Sequence, residues 1–432
     1  MIKKRMGAGL TVAVSIALFA GGCGGSGSTG DGDKSSGGSK SLEVFSWWTS
    51  GSESEALQVL QSAFTTAAPG VTFNNAAVSG GGGSNARTVL ATRLQGGNPP
   101  DSWQLHPDQD LMSAVEDGSV ADISDLYTSN GWDTKLPDTV KAMLQKDGKY
   151  YAVPVNAHRA NVLWTNPAVL KRAGVELTDT STPADFVADL PKLKAAGVAP
   201  VCLGAKDSFA PAQLLEAFIL GGVGVDGWTQ LLTGKLSFDD AKVRTAVTQF
   251  AETLKYVNVD SAVLTWDQAA LQVTDGKCAA TLMGDWAFGE YLAKGKKDGT
   301  DFSHVIFPGT AGLFDYVGDA FAIPAKNAPN ADAEKIWLTQ LLKPEVQAQF
   351  NLKKGSAPVL AGVSLDGYPD YQKDSAAAFQ KLPVVSSLAH AQGAPAEFAN
   401  TYVDAVTSFL GSKNVDGLLK TMTEAQKTQL NS

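Results

Sequence analysis

Tryptophan is the residue type whose placement in this sequence most invites chemistry. Nine are present. Trp47 and Trp48 directly follow the run Leu42-Glu43-Val44-Phe45-Ser46, Trp266 sits in Leu264-Thr265-Trp266-Asp267-Gln268, and Trp286 closes Met283-Gly284-Asp285-Trp286. An indole face suits an apolar C–H surface such as one side of a pyranose ring. Planar amides and charged side chains donate or accept in the forked geometry that suits its rim of hydroxyls. Tryptophans interleaved with Asn, Gln, Asp, His and Lys are therefore the residue set of a sugar site. For any single Trp, core packing is the competing reading. Trp47 and Trp48 point to opposite sides of an extended chain, so one of the two is expected at a cleft.

Other chemistries find little footing. No phosphate loop of the Gly-x-x-x-x-Gly-Lys-Ser/Thr type occurs, nor His-Glu-x-x-His, nor Cys-x-x-Cys. Gly222-x-Gly224-x-x-Gly227 has the dinucleotide spacing but follows a helix-like run rather than a strand, and it reads as a loop. The four histidines, His106, His158, His304 and His390, lack metal-ligand spacing, so neither a metal nor a cofactor is expected. His106 ends a predicted strand, and His390 lies in the polar stretch Ser386-Ser387-Leu388-Ala389-His390. The net charge is -9 with the two signs interspersed, and no basic run follows Arg5, which argues against a nucleic-acid partner.

The N-terminus carries an address. Lys3, Lys4 and Arg5 precede the apolar run from Met6 to Ala20, which is shorter than the ~20 residues of a membrane span and reads as a signal peptide. Gly21 and Gly22 then lead to Cys23. Small residues before a Cys resemble a bacterial lipobox, although Ala20 stands where Leu is usual. The expectation is a lipid on Cys23, with ordinary cleavage as the alternative. Residues 24–40 contain only Gly, Ser, Thr, Asp and Lys, a flexible leash of roughly 20–25 Å reach. Cys202 and Cys278 remain. An oxidising compartment favours a disulfide between them over two buried thiols.

The positioning elements follow from periodicity. Short strand patterns at 42–46, 71–73 and 102–105 alternate with helix-like stretches at 53–66 and 88–94. Further strands are expected at 151–155, 161–165, 199–203 and 320–324, with helices at 183–195, 213–220, 241–256 and 332–342 and a helical C-terminus. Alternation of this kind implies an α/β class with βαβ units and parallel sheet. No internal repeat and no long linker divides the body.

In order along the chain, Phe45-Ser46-Trp47-Trp48, the glycine run before Ser84-Asn85-Ala86-Arg87, Pro99-Pro100-Asp101 with Gln104 and His106, Val153-Pro154-Val155-Asn156 with His158, Arg159 and Trp164, Met283-Gly284-Asp285-Trp286-Ala287, Asp319 with Phe321 and Pro324, Lys354-Gly355-Ser356, and Ser387-Leu388 with His390 resemble the bacterial extracellular solute-binding protein family 1, in particular its glucose/galactose branch. The resemblance spans the chain from about residue 41. It implies a two-lobe periplasmic-binding-protein-like fold (type II) with hinge crossings near Val155, at 308–316 and at 355–358. One lobe would comprise 41–154 plus about 308–355 and the other 155–307 plus about 356–432, after a signal peptide (1–22) and a tether (23–40). It also implies a site: Trp47 or Trp48, Trp266 and Trp286 stack the ring. Glu53, Gln104, His106, Asp319, Lys354 and His390 bind hydroxyls, with Asp285 and Asn351 as further carry-overs. The stretch between Trp48 and Glu53 is one residue longer than the family pattern, which leaves Glu55 as the alternative acid. A residue near Lys206 or Gln213 is expected from the second lobe.

The resemblance implies a monomeric binder, not an enzyme, that delivers a monosaccharide to an ABC permease. Its membrane partner would be reached through the lipid on Cys23. Two rivals stay open at this stage. A secreted carbohydrate hydrolase would use Glu53 or Glu55, Asp285 and Asp319 as its carboxylates. A sensor subunit would share the binding chemistry and differ only in its membrane partner. A disaccharide or another solute is the alternative ligand.

Overall fold

In a computed structural model, the described residues are 40–49, 51–80, 83–328 and 330–430. The signal peptide, Cys23 and the tether lie outside them. The body Ser39–Ser432 forms one compact unit with two hydrophobic cores, each built on its own sheet.

The first sheet begins as the sequence pattern requires. β1 (Ser41–Phe45) pairs in parallel with β2 (Thr72–Asn75) and with β3 (Ser102–Leu105). The chain between β1 and β2 is helix α1 (Gly51–Ala67), which buries Ala56, Leu57, Leu60 and Phe64 at helical spacing. Helix α2 (Ser84–Gln95) connects β2 to β3. Two short antiparallel strands complete the sheet: β11 (Ala320–Ala322) beside β3, and β4 (Val153–Pro154) beside β11. The second sheet runs β9 (Ser303–Ile306), β6 (Val162–Thr165), β8 (Cys278–Leu282), β7 (Ala199–Val201). Only β7 and β8 are parallel there. The expected parallel pairing thus holds for the βαβ stretches. Strands that enter from the other lobe arrive without a crossover helix and pair antiparallel.

Those entries are the hinge. The chain leaves the first sheet at β4, passes through β5 (His158–Arg159) and enters the second at β6; it returns through β10 (Phe314–Val317) into β11. β5 and β10 pair with each other, and β12 (Val384–Ser386) joins β10 in parallel, making a third small sheet between the lobes. An isolated bridge ties Ala157 to Ala357. Ala357, Val359, Leu360 and Phe379 still pack with the first core, and Val385, Leu388 and the C-terminal helices pack with the second.

Helix α3 (Phe209–Leu232) absorbs the Gly222–Gly227 stretch that the sequence pattern presents as a loop. A break at Gly224, at φ 68 and ψ -173, joins two helical halves. The first half is buried from Phe209 to Leu220. The helix is long and apolar enough to cross a membrane, yet it is the central core helix of the second lobe. Helix α4 (Trp266–Thr274) packs Ala269 and Val273 onto the Cys202–Cys278 disulfide, which links the end of β7 to the start of β8 with 5.6 Å between Cα atoms.

A cross-link spanning 76 residues removes loop entropy from the unfolded chain worth about 4 kcal/mol. The Cys202→Ser/Cys278→Ser variant is therefore expected to melt several degrees below the parent in scanning calorimetry, and a reductant should lower the parent to the variant's value. Coincident melting with and without reductant would show that the link adds nothing to stability.

Candidate functional site

A cleft of mixed apolar and polar lining lies where the three sheets meet, with a volume of about 340 Å³, in the size range of small-molecule sites. Each lobe supplies one wall, and the hinge supplies the floor.

From the first lobe, the chain leaving β1 places Trp47 on the cleft and Trp48 in the core, as alternation demands. Trp48 is 1% exposed and packs against Phe321 and Phe350 at 5.8 and 5.4 Å. It is not a lining residue. The loop before α2 lies flat on the Trp47 indole at Gly83. With φ 97 and a Cβ that would fall 3.0 Å from the ring, that position needs glycine. Arg87 sits on the same indole at 5.4 Å. Glu53, in the first turn of α1, lines the cleft and pairs with Lys354 at 2.7 Å. Lys354 ends helix α6 (Pro344–Lys354). Glu55 faces outward and pairs with Lys353, so the acid at the cleft is Glu53.

On the floor, Asp319 accepts from Gln104 Nε2 and Asn156 Nδ2, both at 2.7 Å, while its backbone N–H donates to Asn156 Oδ1. Gln104 thus lies under Asp319 rather than on the cleft. Asp285 is likewise beneath the surface. It is fully buried, hydrogen-bonded to His158 Nδ1 and accepting from Arg159 N and Ser375 Oγ. Asn351 is also buried and donates to Val155 O. His158, absent from the expected ligand set, lines the cleft. Its Nε2 is 3.7 Å from Asp319 Oδ2. Burial pushes the Asp285 carboxyl well up and the His158 imidazole well down, and His158 Nε2 has no hydrogen-bond partner among the described residues.

His106 holds Nδ1 2.6 Å from the Gly318 carbonyl, which can only accept. Nδ1 therefore carries the hydrogen and Nε2 is an acceptor. Burial lowers this imidazole below its ordinary value, and that of His390 well below it. His390 lies 5.3 Å from Trp286 and 5.2 Å from Phe209.

The second lobe brings Trp266, Trp286 and Phe209 to the cleft, with Lys206, Asp207, Asp267 and Glu290. Trp266 opens α4, and its backbone N–H donates to Asp207 Oδ2 at 2.8 Å. Glu290 lies on helix α5 (Trp286–Ala293) and reaches across to the first lobe, accepting from Ser52 N at 3.1 Å at the start of α1. Gly51 makes room: at φ 59, a Cβ there would lie 1.8 Å from Glu290 Oε2. Gln213 is buried and donates to Ala160 O, leaving Lys206 as the second-lobe residue of that pair at the cleft. Phe209 and Glu290 carry no sequence signal of their own. His158 does, because it stands in the run of residues that includes Asn156.

The arrangement offers three indoles and a phenyl ring, acceptors at Asp319 and His106, donors at Lys354 and Lys206, and the unpartnered Nε2 atoms of His158 and His390. That is a polyol-binding inventory with one apolar face. Lys354 is 3% and Glu53 17% exposed, and burial raises the Glu53 carboxyl against the pull of Lys354. Lys354→Met should accordingly cost about 3 kcal/mol of folding stability by stranding the carboxylate. Adding Glu53→Gln should restore most of it in denaturant titrations. Additive losses in the double variant would show that the two side chains are uncoupled.

The profile of the bacterial extracellular solute-binding protein family matches residues 49–348. An ABC transporter extracellular-binding protein of Pyrococcus horikoshii is 33% identical over 391 residues, covering 90% of this chain and 88% of its own. A protein of Mesorhizobium japonicum, named a probable sugar-binding periplasmic protein, is 32% identical over 395 residues, covering 89% and 91%. Among solved structures, a chitin oligosaccharide binding protein superposes with a TM-score of 0.79 at 18% identity over 91% of this chain and all of its own. The bacterial solute receptor AcbH, described as preferring β-D-galactopyranose exclusively, superposes with 0.78 at 20% identity over 90% and 98%. These structures share the two-lobe fold with hinge crossings. The chain belongs to the bacterial extracellular solute-binding proteins and is an exported protein of that family.

Proposed function

We propose that this protein is the receptor of an ABC sugar importer, binding one monosaccharide of the glucose or galactose type between its lobes and passing it unchanged to a membrane permease. The observation that carries the reading is the cleft itself: Trp47, Trp266 and Trp286 beside Asp319, His106, His390 and Lys354 in about 340 Å³. Indole faces match the C–H side of a pyranose, and the fixed acceptors and donors match its hydroxyls. Relatives named for sugar binding, including a xylose/arabinose-binding protein of Haloferax volcanii at 26% identity over 348 residues, support a sugar as the solute.

Groups from both lobes surround the cleft, so a bound sugar stabilises the closed form by its differential contacts, and the closed form is the one a permease would read. The two lobes in this reading are residues 41–154 with about 308–355, and 155–307 with about 356–432, except that Ala357, Val359, Leu360 and Phe379 pack with the first core. Asp319 and Glu53 already hold amide and ammonium partners, which favours fixed hydrogen-bond acceptors over the acid and nucleophile of a hydrolase. A lipid on Cys23 would hold the protein at the membrane and raise its concentration near the permease.

Isothermal titration of the purified protein, unfolded and refolded to strip any ligand carried through purification, is expected to give one-to-one binding of a single monosaccharide recovered unchanged. Trp266→Ala should weaken it at least about tenfold, equivalent to about 1.4 kcal/mol, whereas Trp48→Phe should leave affinity intact. Heat from no sugar in a mono- and disaccharide panel would end the sugar reading. Metabolic labelling with palmitate should mark the parent and miss Cys23→Ser; equal labelling would place the lipid elsewhere or nowhere.

A further inference from the structure

We infer that Glu216, on the buried face of α3, is a positioning residue for the cleft: through the Ser387 hydroxyl it decides which nitrogen of His390 carries the hydrogen, and so makes His390 an acceptor toward the ligand. The inference deepens the proposed function, because it assumes that the cleft is where the solute binds.

Glu216 is fully buried and lies on the same helix as the lining residue Phe209. One carboxylate oxygen, Oε2, accepts from the backbone N–H groups of Leu388 and Ala389, at 2.7 and 2.8 Å. The other, Oε1, accepts from Ser387 Oγ at 2.7 Å. Ser387 Oγ in turn lies 2.9 Å from His390 Nδ1. A hydroxyl has one hydrogen. Spent on Glu216, it leaves only lone pairs for the imidazole, so Nδ1 must donate and Nε2 must accept. His390 Nε2 has no hydrogen-bond partner among the described residues and belongs to a side chain lining the cleft.

The turn that carries His390 is held from both ends. Beyond it, Ala391 adopts φ 59, a conformation that a residue with a Cβ seldom takes. Gln392 is fully buried, its backbone N–H donates to Ser387 O at 3.0 Å, and its side-chain oxygen accepts from Gly318 N at 3.0 Å. Gly318 is the residue whose carbonyl fixes His106. Asp315, on β10, is buried beside Glu216. Burial raises Glu216 to about 7 and, with Glu216 as its neighbour, raises Asp315 well beyond the carboxylate range; the Ser387 hydrogen goes to Glu216 in the ionised form of that carboxyl, above about pH 7, where the spectra below are to be recorded.

Glu216→Gln gives the sharpest test. The amide nitrogen cannot accept, so the amide oxygen must take the place facing Leu388 N and Ala389 N. The NH₂ then donates to Ser387 Oγ. The serine hydrogen turns to His390 Nδ1, and the imidazole hydrogen moves to Nε2. Nitrogen-15 spectra of the labelled protein, with only four histidines to assign, should show His390 protonated at Nδ1 in the parent and at Nε2 in Glu216→Gln. Ser387→Ala, which leaves both backbone hydrogen bonds to Glu216 in place, should abolish the fixed tautomer without that reversal. Affinity for whichever of D-galactose or D-glucose the parent binds should fall about tenfold in each variant. An unchanged Nδ1–H tautomer in Ser387→Ala overturns the inference, even should Glu216→Gln fail to fold. A parent that binds neither sugar but shows the tautomer reversal would sink the sugar reading while leaving the role of Glu216 standing.

Discussion

A buried carboxylate must be given donors, and at the junction of the lobes that requirement ties three distant chain segments to one point. Asp319 is held by Gln104 from the end of β3 and by Asn156 from the first crossing, while Asp319 itself sits in the turn from β10 to β11. Remove one amide and the carboxylate is left short of a partner in a place water reaches poorly. The first lobe's sheet, the outgoing hinge strand and the returning one are therefore aligned by one side chain. The cleft inherits that alignment: His106 and His158, the two ring systems nearest Asp319, come from the same two segments as its amide donors.

The same economy recurs one layer further out. Asp285 orients His158, and Glu216 and Ser387 orient His390. Asp319, His158 and His390, which face the cleft, are each backed by buried polar side chains. Such networks are costly when broken, which makes them rigid, and a receptor that must recognise hydroxyl directions benefits from acceptors that do not rotate.

Much of this was legible in the residues, for identifiable reasons. Helices with strong caps and clean periodicity, such as Pro183–Ala195 behind its Thr182 capping box, declare themselves locally. The adjacent pair Trp47–Trp48 declared the cleft because an extended chain must turn one of them outward, and the structure shows it to be Trp47. The sheet direction was not legible, since β4, β10 and β11 pair according to where the hinge returns them. Gly222–Gly227 read as a loop because glycines hide a helix whose apolar neighbours, supplied by the C-terminal helices, lie far away in sequence. Phe209 and Glu290 were out of reach for the same reason: each is ordinary in its own segment and acquires meaning only across the cleft. Gln104 and Asp285 carried the right chemistry, but sequence cannot distinguish a residue that touches a ligand from one that holds the residue that does.

The distribution of indoles also has an optical side. Of nine tryptophans, Trp47, Trp266 and Trp286 line the cleft, and Trp48, Trp103, Trp132, Trp164, Trp228 and Trp337 are sealed in the two cores. The buried six provide a steady emission that occupancy of the cleft does not touch, while the remaining third changes its surroundings whenever the cleft fills or the lobes move. The chain thus carries an internal reference and a reporter in one chromophore type, and its own fluorescence can follow cleft occupancy with no label attached.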